Sequence, residues 1–414
     1  MNSKKLISAN GETVMVQADV IVVGAGIVGL ASAYQIMKRA PQLKILVLEK
    51  ESDVSQHQTG HNSGVIHSGI YYTPGSLKAL NCRIGYELLL EFARAEGIPF
   101  EICGKIVVAT LEEELPRLKN LFDRGVANGL EGLRMLSPEE IREIEPHCAG
   151  IQGVFVPQTG IIDYLVVSRK LKEKLEAGGH KVVFDQKVEG IERAADGSFR
   201  VRTQNSQYQT KKLVSCAGLQ SDRVAKFTSS KLPLRIVPFR GEYFTIKKEK
   251  QSLVKHLIYP VPDPAFPFLG VHFTRMIDGG REAGPNAVLA FKREGYSKVS
   301  FNVRDAWETF TWPGFQRVAV KYWRMGFGEF YRSFSKRAFV RALQRLIPEI
   351  REEDLEEGGA GIRAQASARD GGLVDDFYFV EEPGIVHVCN APSPAATASL
   401  AIGKAIAEKI LAQR

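Results

Sequence analysis

Gly24-Ala25-Gly26-Ile27-Val28-Gly29 carries three glycines at the spacing of a turn that cradles a pyrophosphate. Gly24 permits the tight turn, Gly26 lets backbone approach the phosphates, and Gly29 lets the following helix pack close to the strand. The N–H groups of Ile27 and Val28 open that helix and point at the anion. Glu49, with Lys50 beside it, lies about 20 residues further on, where a carboxylate accepts both ribose hydroxyls. Its charge repels a 2′-phosphate, which excludes NADP and leaves NAD or FAD. The run Gln58-Thr59-Gly60-His61-Asn62-Ser63-Gly64-Val65-Ile66-His67-Ser68-Gly69 then favours the flavin. Gly60 and Gly64 admit backbone to an isoalloxazine, and Thr59, Asn62 and Ser63 offer partners to its polar atoms. The expected cofactor is FAD and the expected class is a redox enzyme.

These residues need a frame. Asp19–Val23 is a short apolar run suited to a strand buried on both faces, Leu30–Arg39 has helical spacing, and Lys44–Leu48 is a second strand. Residues 76–130 read as mostly helical, interrupted by a strand at Gly104–Thr110. Ser137 caps a helix with Pro138 in its first position. A helix over 163–177 ends at Gly178-Gly179, and the alternations at 181–193, 198–204 and 210–216 predict strands. Val214-Ser215-Cys216-Ala217-Gly218 again ends a strand in small residues, so the nucleotide unit returns there. Residues 234–300 are strand-rich with prolines, 303–349 are helical in part, 372–390 are strands and 394–413 a closing helix. The predicted fold is α/β. A Rossmann-type nucleotide domain (18–110, 163–232, 351–414) interleaves with an α+β, antiparallel-sheet substrate domain (111–162, 233–350).

A chain of 414 residues suits two domains, and 44% hydrophobic with 25% charged residues is ordinary for a soluble protein. No apolar run approaches the length of a membrane span, and no secretory leader is apparent. The polar residues 1–17 suit a flexible tail or an extra edge strand. The five cysteines show no ligand spacing, which fits a reducing compartment and predicts neither metal nor disulfides. Net charge is +8, of which residues 301–345 contribute +6. That stretch also holds Trp307, Trp312 and Trp323 with Phe310, Phe315, Phe327 and Phe330. Basic groups among aromatics suit anionic lipid headgroups, or else a helical subdomain with inward rings. No nucleic-acid reader module is present.

The segments QTGHNSGVIHSGIYYTPGSLKA (58–79), VPFRGEY (237–243), PFLGVHFTR (267–275), GPNAVLAFKREGY (284–296) and NAPSPAATAS (390–399) resemble the FAD-dependent D-amino-acid-oxidase-like superfamily. Within it they are similar to the group that oxidises L-2-hydroxyglutarate, over about residues 18–411. The resemblance implies oxidation of that hydroxy diacid to 2-oxoglutarate, with electrons passed to a membrane quinone and oxygen a poorer acceptor. It also implies a cytoplasmic protein peripheral to the inner membrane, the mitochondrial one in a eukaryote. Val188 then lies beside the adenine, and Ala217 and Gly218 close over the nucleotide. Pro392, Ser393, Pro394, Ala395, Ala396 and Thr397 return to the flavin, with a helix from about Ala395 aimed at its N1/C2 oxygen.

A hydroxyl must shed its proton as hydride leaves carbon, which calls for a base, usually histidine. His61, His67 and His272 stand in the matching segments. Arg363, in GIRAQASARDG (361–371), inherits the superfamily role of holding the α-carboxylate, against a structural pairing with Asp370, Asp375 or Asp376. Arg240, Arg275 and Lys292 are the candidates for the distal carboxylate, with Tyr259 and Asn286 as polar contacts and ion pairs as the alternative. Three other readings remain: an amino-acid or amine oxidase on the same scaffold, an NAD-linked dehydrogenase, and a non-catalytic flavin-binding accessory protein.

Overall fold

The computed structural model describes residues 15–229, 231–263 and 269–413. Most of the N-terminal tail and the centre of the 257–275 region, residues 264–268, lie outside them. The first strand, Met15–Val23, begins earlier than its apolar run, and its exposed half pairs in parallel with Gln207–Thr210. Its buried half, Val20–Val23, lies between Ile45–Leu48 and Lys212–Ser215. Residues with apolar side chains on both faces are what a central parallel strand requires.

Around it forms an eight-stranded sheet in the order 188–193, 199–203, 207–215, 15–23, 45–48, 181–183, with Ile385–Asn390 parallel to Leu213–Ser215 and Tyr378–Glu382 beside that strand. The alternation read as one strand over 181–193 is two, on opposite edges of this sheet. Helices Ile27–Arg39, Leu77–Ala95, Tyr164–Ala177 and Ser399–Ala412 supply one shared core with it. Ser137 caps the helix Pro138–Ile144 in a full capping box, as its spacing predicts.

The second sheet has nine strands, in the order 288–289, 234–246, 281–284, 272–275, 257–260, 105–109, 152–156, 134–136, and Leu355–Ala368 runs antiparallel along Leu234–Ile246. It is antiparallel throughout except where Leu257–Pro260 lies parallel to Lys105–Ala109. Two strands grouped by sequence with the nucleotide domain, Lys105–Ala109 and Leu355–Ala368, therefore belong to this sheet. The cause is physical: Lys105–Ala109 is buried at every position, and such a run reads alike in either kind of sheet. The basic aromatic region is helical, as Val303–Phe310, Pro313–Phe334 and Lys336–Leu343.

Candidate active site

At the end of the first strand Gly24 adopts φ +100°, and a Cβ at Gly29 would stand 2.0 Å from the Gly24 carbonyl oxygen. Only glycine allows that turn and that approach. A Cβ at Gly26 would meet nothing nearer than the Thr59 hydroxyl, at 3.5 Å, because Gly26 faces a cleft. Gly26–Gly29, Thr59, His61–Ser63, Val65, Gly218 and Pro392–Ala396 border that cleft. The buried Glu49 carboxylate accepts the Ala25 N–H at 2.6 Å and the Glu51 N–H at 3.0 Å. Each of its oxygens retains a lone pair for a ribose hydroxyl. A bare Gly26, a helix N-terminus and this carboxylate fit FAD.

The cleft continues between the sheets. Strand Leu355–Ala368 places Arg363 on its wall, and Tyr243 and His67 line the same space. The His67 backbone N–H donates to Thr397 Oγ1 at 3.1 Å, which lies 2.7 Å from the Tyr164 hydroxyl. Its Nε2 lies 3.4 Å from Ser393 Oγ. Desolvation, then the charges of Lys105, His272, Arg363 and Lys78, push the His67 pKa down to about 3. Behind this wall His272 donates its Nδ1–H to the Gly270 carbonyl, 2.8 Å away, and its ring lies 3.9 Å from that of Tyr259. Burial outweighs that carbonyl contact and brings the His272 pKa to about 4. Lys105, only 1% exposed, sits between the faces of Tyr71 and Tyr259, at 4.4 and 4.8 Å from their centroids. Burial takes its pKa down to about 7.

A family model described as FAD dependent oxidoreductase matches residues 19–409. The chain belongs to that family. It is 56% identical over 390 residues to an L-2-hydroxyglutarate dehydrogenase from Indibacter alkaliphilus, covering 94% of this chain and 98% of the relative. The mitochondrial L-2-hydroxyglutarate dehydrogenase of Caenorhabditis elegans is 47% identical over 402 residues, covering 95% and 93%. Among solved structures, FAD-bound L-alpha-glycerophosphate oxidase from Mycoplasma pneumoniae superposes with a TM-score of 0.78 at 24% identity, over 97% of this chain and 96% of that one, and supports the fold.

Several residues expected to touch cofactor or substrate in this FAD-dependent oxidoreductase have other work. Lys50 is the cation held by Glu51, Glu294 and His57, with Glu294 at 3.0 Å and His57 at 2.9 Å. Asn62 and Gly64 bond within their own loop at 2.8 Å, and a Cβ at Gly60 would strike the Ser55 carbonyl. Thr397 positions His67 rather than lining the cleft, Val188 and Ala217 pack against the core under the nucleotide sheet, and the closing helix starts at Ser399, not Ala395. His61 stacks on Tyr296 at 4.2 Å, and desolvation lowers its pKa.

None of the three distal cations extends freely into the cleft. Buried Arg240 binds Glu242 at 2.8 Å and the Ser297 carbonyl at 2.9 Å, and Asn286 binds the same glutamate through both ends of its amide. Arg275 pairs with Glu101, and Lys292 is exposed. Its neighbour Arg293 is the buried residue, joined to Asp222 through Nη2 at 2.9 Å and to the Leu219 carbonyl at 2.8 Å. Removing one partner of a buried pair strands the other charge, so Arg293→Met is expected to cost about 3–5 kcal/mol. Lys292→Met is expected to stay within about 0.5 kcal/mol. Denaturant midpoints of the two variants check this. The cationic group that sequence reasoning missed is Lys105. Its signal is a lysine heading an apolar run, where the charge has no evident partner.

Proposed function

We propose that the chain oxidises L-2-hydroxyglutarate to 2-oxoglutarate. The observation that carries this reading is electrostatic. His67, His272 and Lys105 crowd together, and among the described neighbours that set their ionisation none is Asp or Glu. Burial drives all three towards their neutral forms, and repulsion by neighbouring cations adds to it at the two histidines, so an anion with more than one charge relieves the site. The 56% and 47% identities to L-2-hydroxyglutarate dehydrogenases support the same substrate.

Bound FAD supplies a two-electron acceptor for the hydride on the carbinol carbon. Arg363 holds the adjacent carboxylate and so fixes that carbon relative to the ring. His67, neutral because its pKa lies far below physiological pH, takes the hydroxyl proton at Nε2, where Ser393 steers the ring. The alcohol thereby loses a hydride and a proton and becomes a ketone. An amine donor needs no such base, which sets this site against the amine-oxidase reading. Anaerobic mixing with L-2-hydroxyglutarate is expected to bleach the flavin bands, whereas the D enantiomer and L-glutamate leave them. Bleaching by amines alone would overturn the proposal.

The electrons then leave to a quinone in a membrane on which the protein rests. Helix Pro313–Phe334 presents Val320, Trp323, Phe327, Tyr331 and Phe334 to solvent, with exposures of 55% to 78%. Their spacing marks one helical face, and Trp307 is 70% exposed beside it. Trp312, which composition alone groups with them, is instead buried, donating Nε1–H to the Ser367 carbonyl at 3.0 Å. Among the described residues no helix is long and apolar enough to cross a bilayer. Lipid contact through this face suits peripheral binding at the inner membrane. Serine at Trp307, Trp323 and Phe327 removes roughly 1.5–3 kcal/mol of apolar burial per residue. Partitioning onto anionic vesicles is therefore expected to fall at least about 100-fold, with dye-linked activity unchanged. Unaltered vesicle sedimentation would refute the docking face.

A further inference from the structure

We propose that Lys105 binds the second, distal carboxylate of the substrate and so makes the enzyme selective for diacids over 2-hydroxy monoacids. This rests on the reading of the substrate as a hydroxy diacid. Lys105 opens the strand Lys105–Ala109 in the middle of the nine-stranded sheet, and its side chain is buried to 1% exposure. Its only close partners among the described residues are the rings of Tyr71 and Tyr259. Two cation–π contacts of about 1–2 kcal/mol each do not offset the several kcal/mol needed to bury an ammonium. The Tyr71 hydroxyl beside it is buried without a hydrogen-bond partner.

The groups facing Lys105 come from every element around it. His67 stands on the cleft side and His272 on strand His272–Arg275, each close enough to be repelled by the ammonium. Cys82, on helix Leu77–Ala95, has its thiol pushed up to about 12 by burial and is neutral. Tyr71 and Tyr259 are likewise raised by burial and un-ionised. Not one of these carries negative charge near pH 7. Arg363 and Lys105 both repel His67, so the base lies within the field of two cations borne on separate strands. A distal carboxylate supplies a charge for Lys105 to hold and the acceptor that the Tyr71 hydroxyl lacks.

Lys105 must carry its proton to hold a carboxylate, and in the free enzyme it loses that proton near pH 7. Values of kcat/KM for the diacid should therefore fall as pH rises above about 7, approaching tenfold per pH unit.

The test compares L-2-hydroxyglutarate with L-2-hydroxyvalerate, the five-carbon acid lacking the distal carboxylate, in FAD-loaded wild type and Lys105→Met. The variant is expected to lose roughly 100-fold in the ratio of kcat/KM for the diacid to that for the monoacid, mostly through KM for the diacid. An equal loss for both acids, or for neither, would overturn the proposal. Should Lys105→Met fail to fold, wild type decides. Only the diacid profile is then expected to decline above pH 7, and identical profiles for the two acids would overturn it. Absence of any turnover of 2-hydroxyglutarate by wild type would instead sink the underlying substrate reading.

Discussion

Arg363→Met is expected to lower kcat/KM for L-2-hydroxyglutarate by about a thousandfold or more, and Arg363→Lys to recover only part of it. The residue stands on strand Leu355–Ala368, in register with Phe239 on Leu234–Ile246, and this pairing runs the length of both strands. Its place is therefore set by a rigid ladder rather than by a loop. Burial lowers its pKa, yet a guanidinium starts so high that it stays charged. Truncating one member of a desolvated charge pair costs about 2–5 kcal/mol, and misplacing the reacting carbon adds to that in kcat. Lysine keeps the charge and loses the planar fork that grips a carboxylate with two parallel bonds. Steady-state kinetics with a dye acceptor measure the effect. A methionine variant within tenfold of wild type would remove Arg363 from the substrate site.

The cofactor half of this site was legible because its determinants are local. Gly24, Gly26, Gly29 and Glu49 are set by the geometry of one turn and one strand end: Gly24 and Gly29 make the close approach, and Glu49 accepts the Ala25 N–H beside it. The substrate half depends on which side of a strand or loop each group faces, and a shift of one residue reverses that. Lys292 and Arg293 illustrate the point: one is exposed and the other buried, and neither extends into the cleft. Arg240 has an aspect no composition reveals, because Glu242 stands next but one along the same strand and captures it. Asn62, Gly60 and Gly64 read from sequence as contacts of the flavin, whereas much of their polarity and freedom serves the loop itself. Trp312 and Trp323 share a composition and differ in phase. Trp312 precedes the helix as its N-cap and turns inward, while Trp323 falls on the helix's exposed stripe. Lys105 escaped notice because the strand around it reads as pure core.

Among the three histidines, His67→Gln is expected to slow anaerobic flavin reduction by about 100- to 10,000-fold, the usual worth of a positioned base. Only His67 combines a place on the cleft wall with a backbone pinned by Thr397 and a side-chain partner in Ser393. His61 lines the cleft too, but its ring is engaged face to face with Tyr296, and His272 lies behind the wall against Tyr259. His61→Gln is therefore expected to change the rate by less than about tenfold. The working form of His67 is the neutral one, and its pKa of about 3 in the free enzyme means that form persists throughout mild acid. Consequently kcat/KM for the wild type should show no loss between pH 7 and 5, where an ordinary histidine base would protonate. A limb near pH 6.5 that vanished in His61→Gln would transfer the role of base to His61.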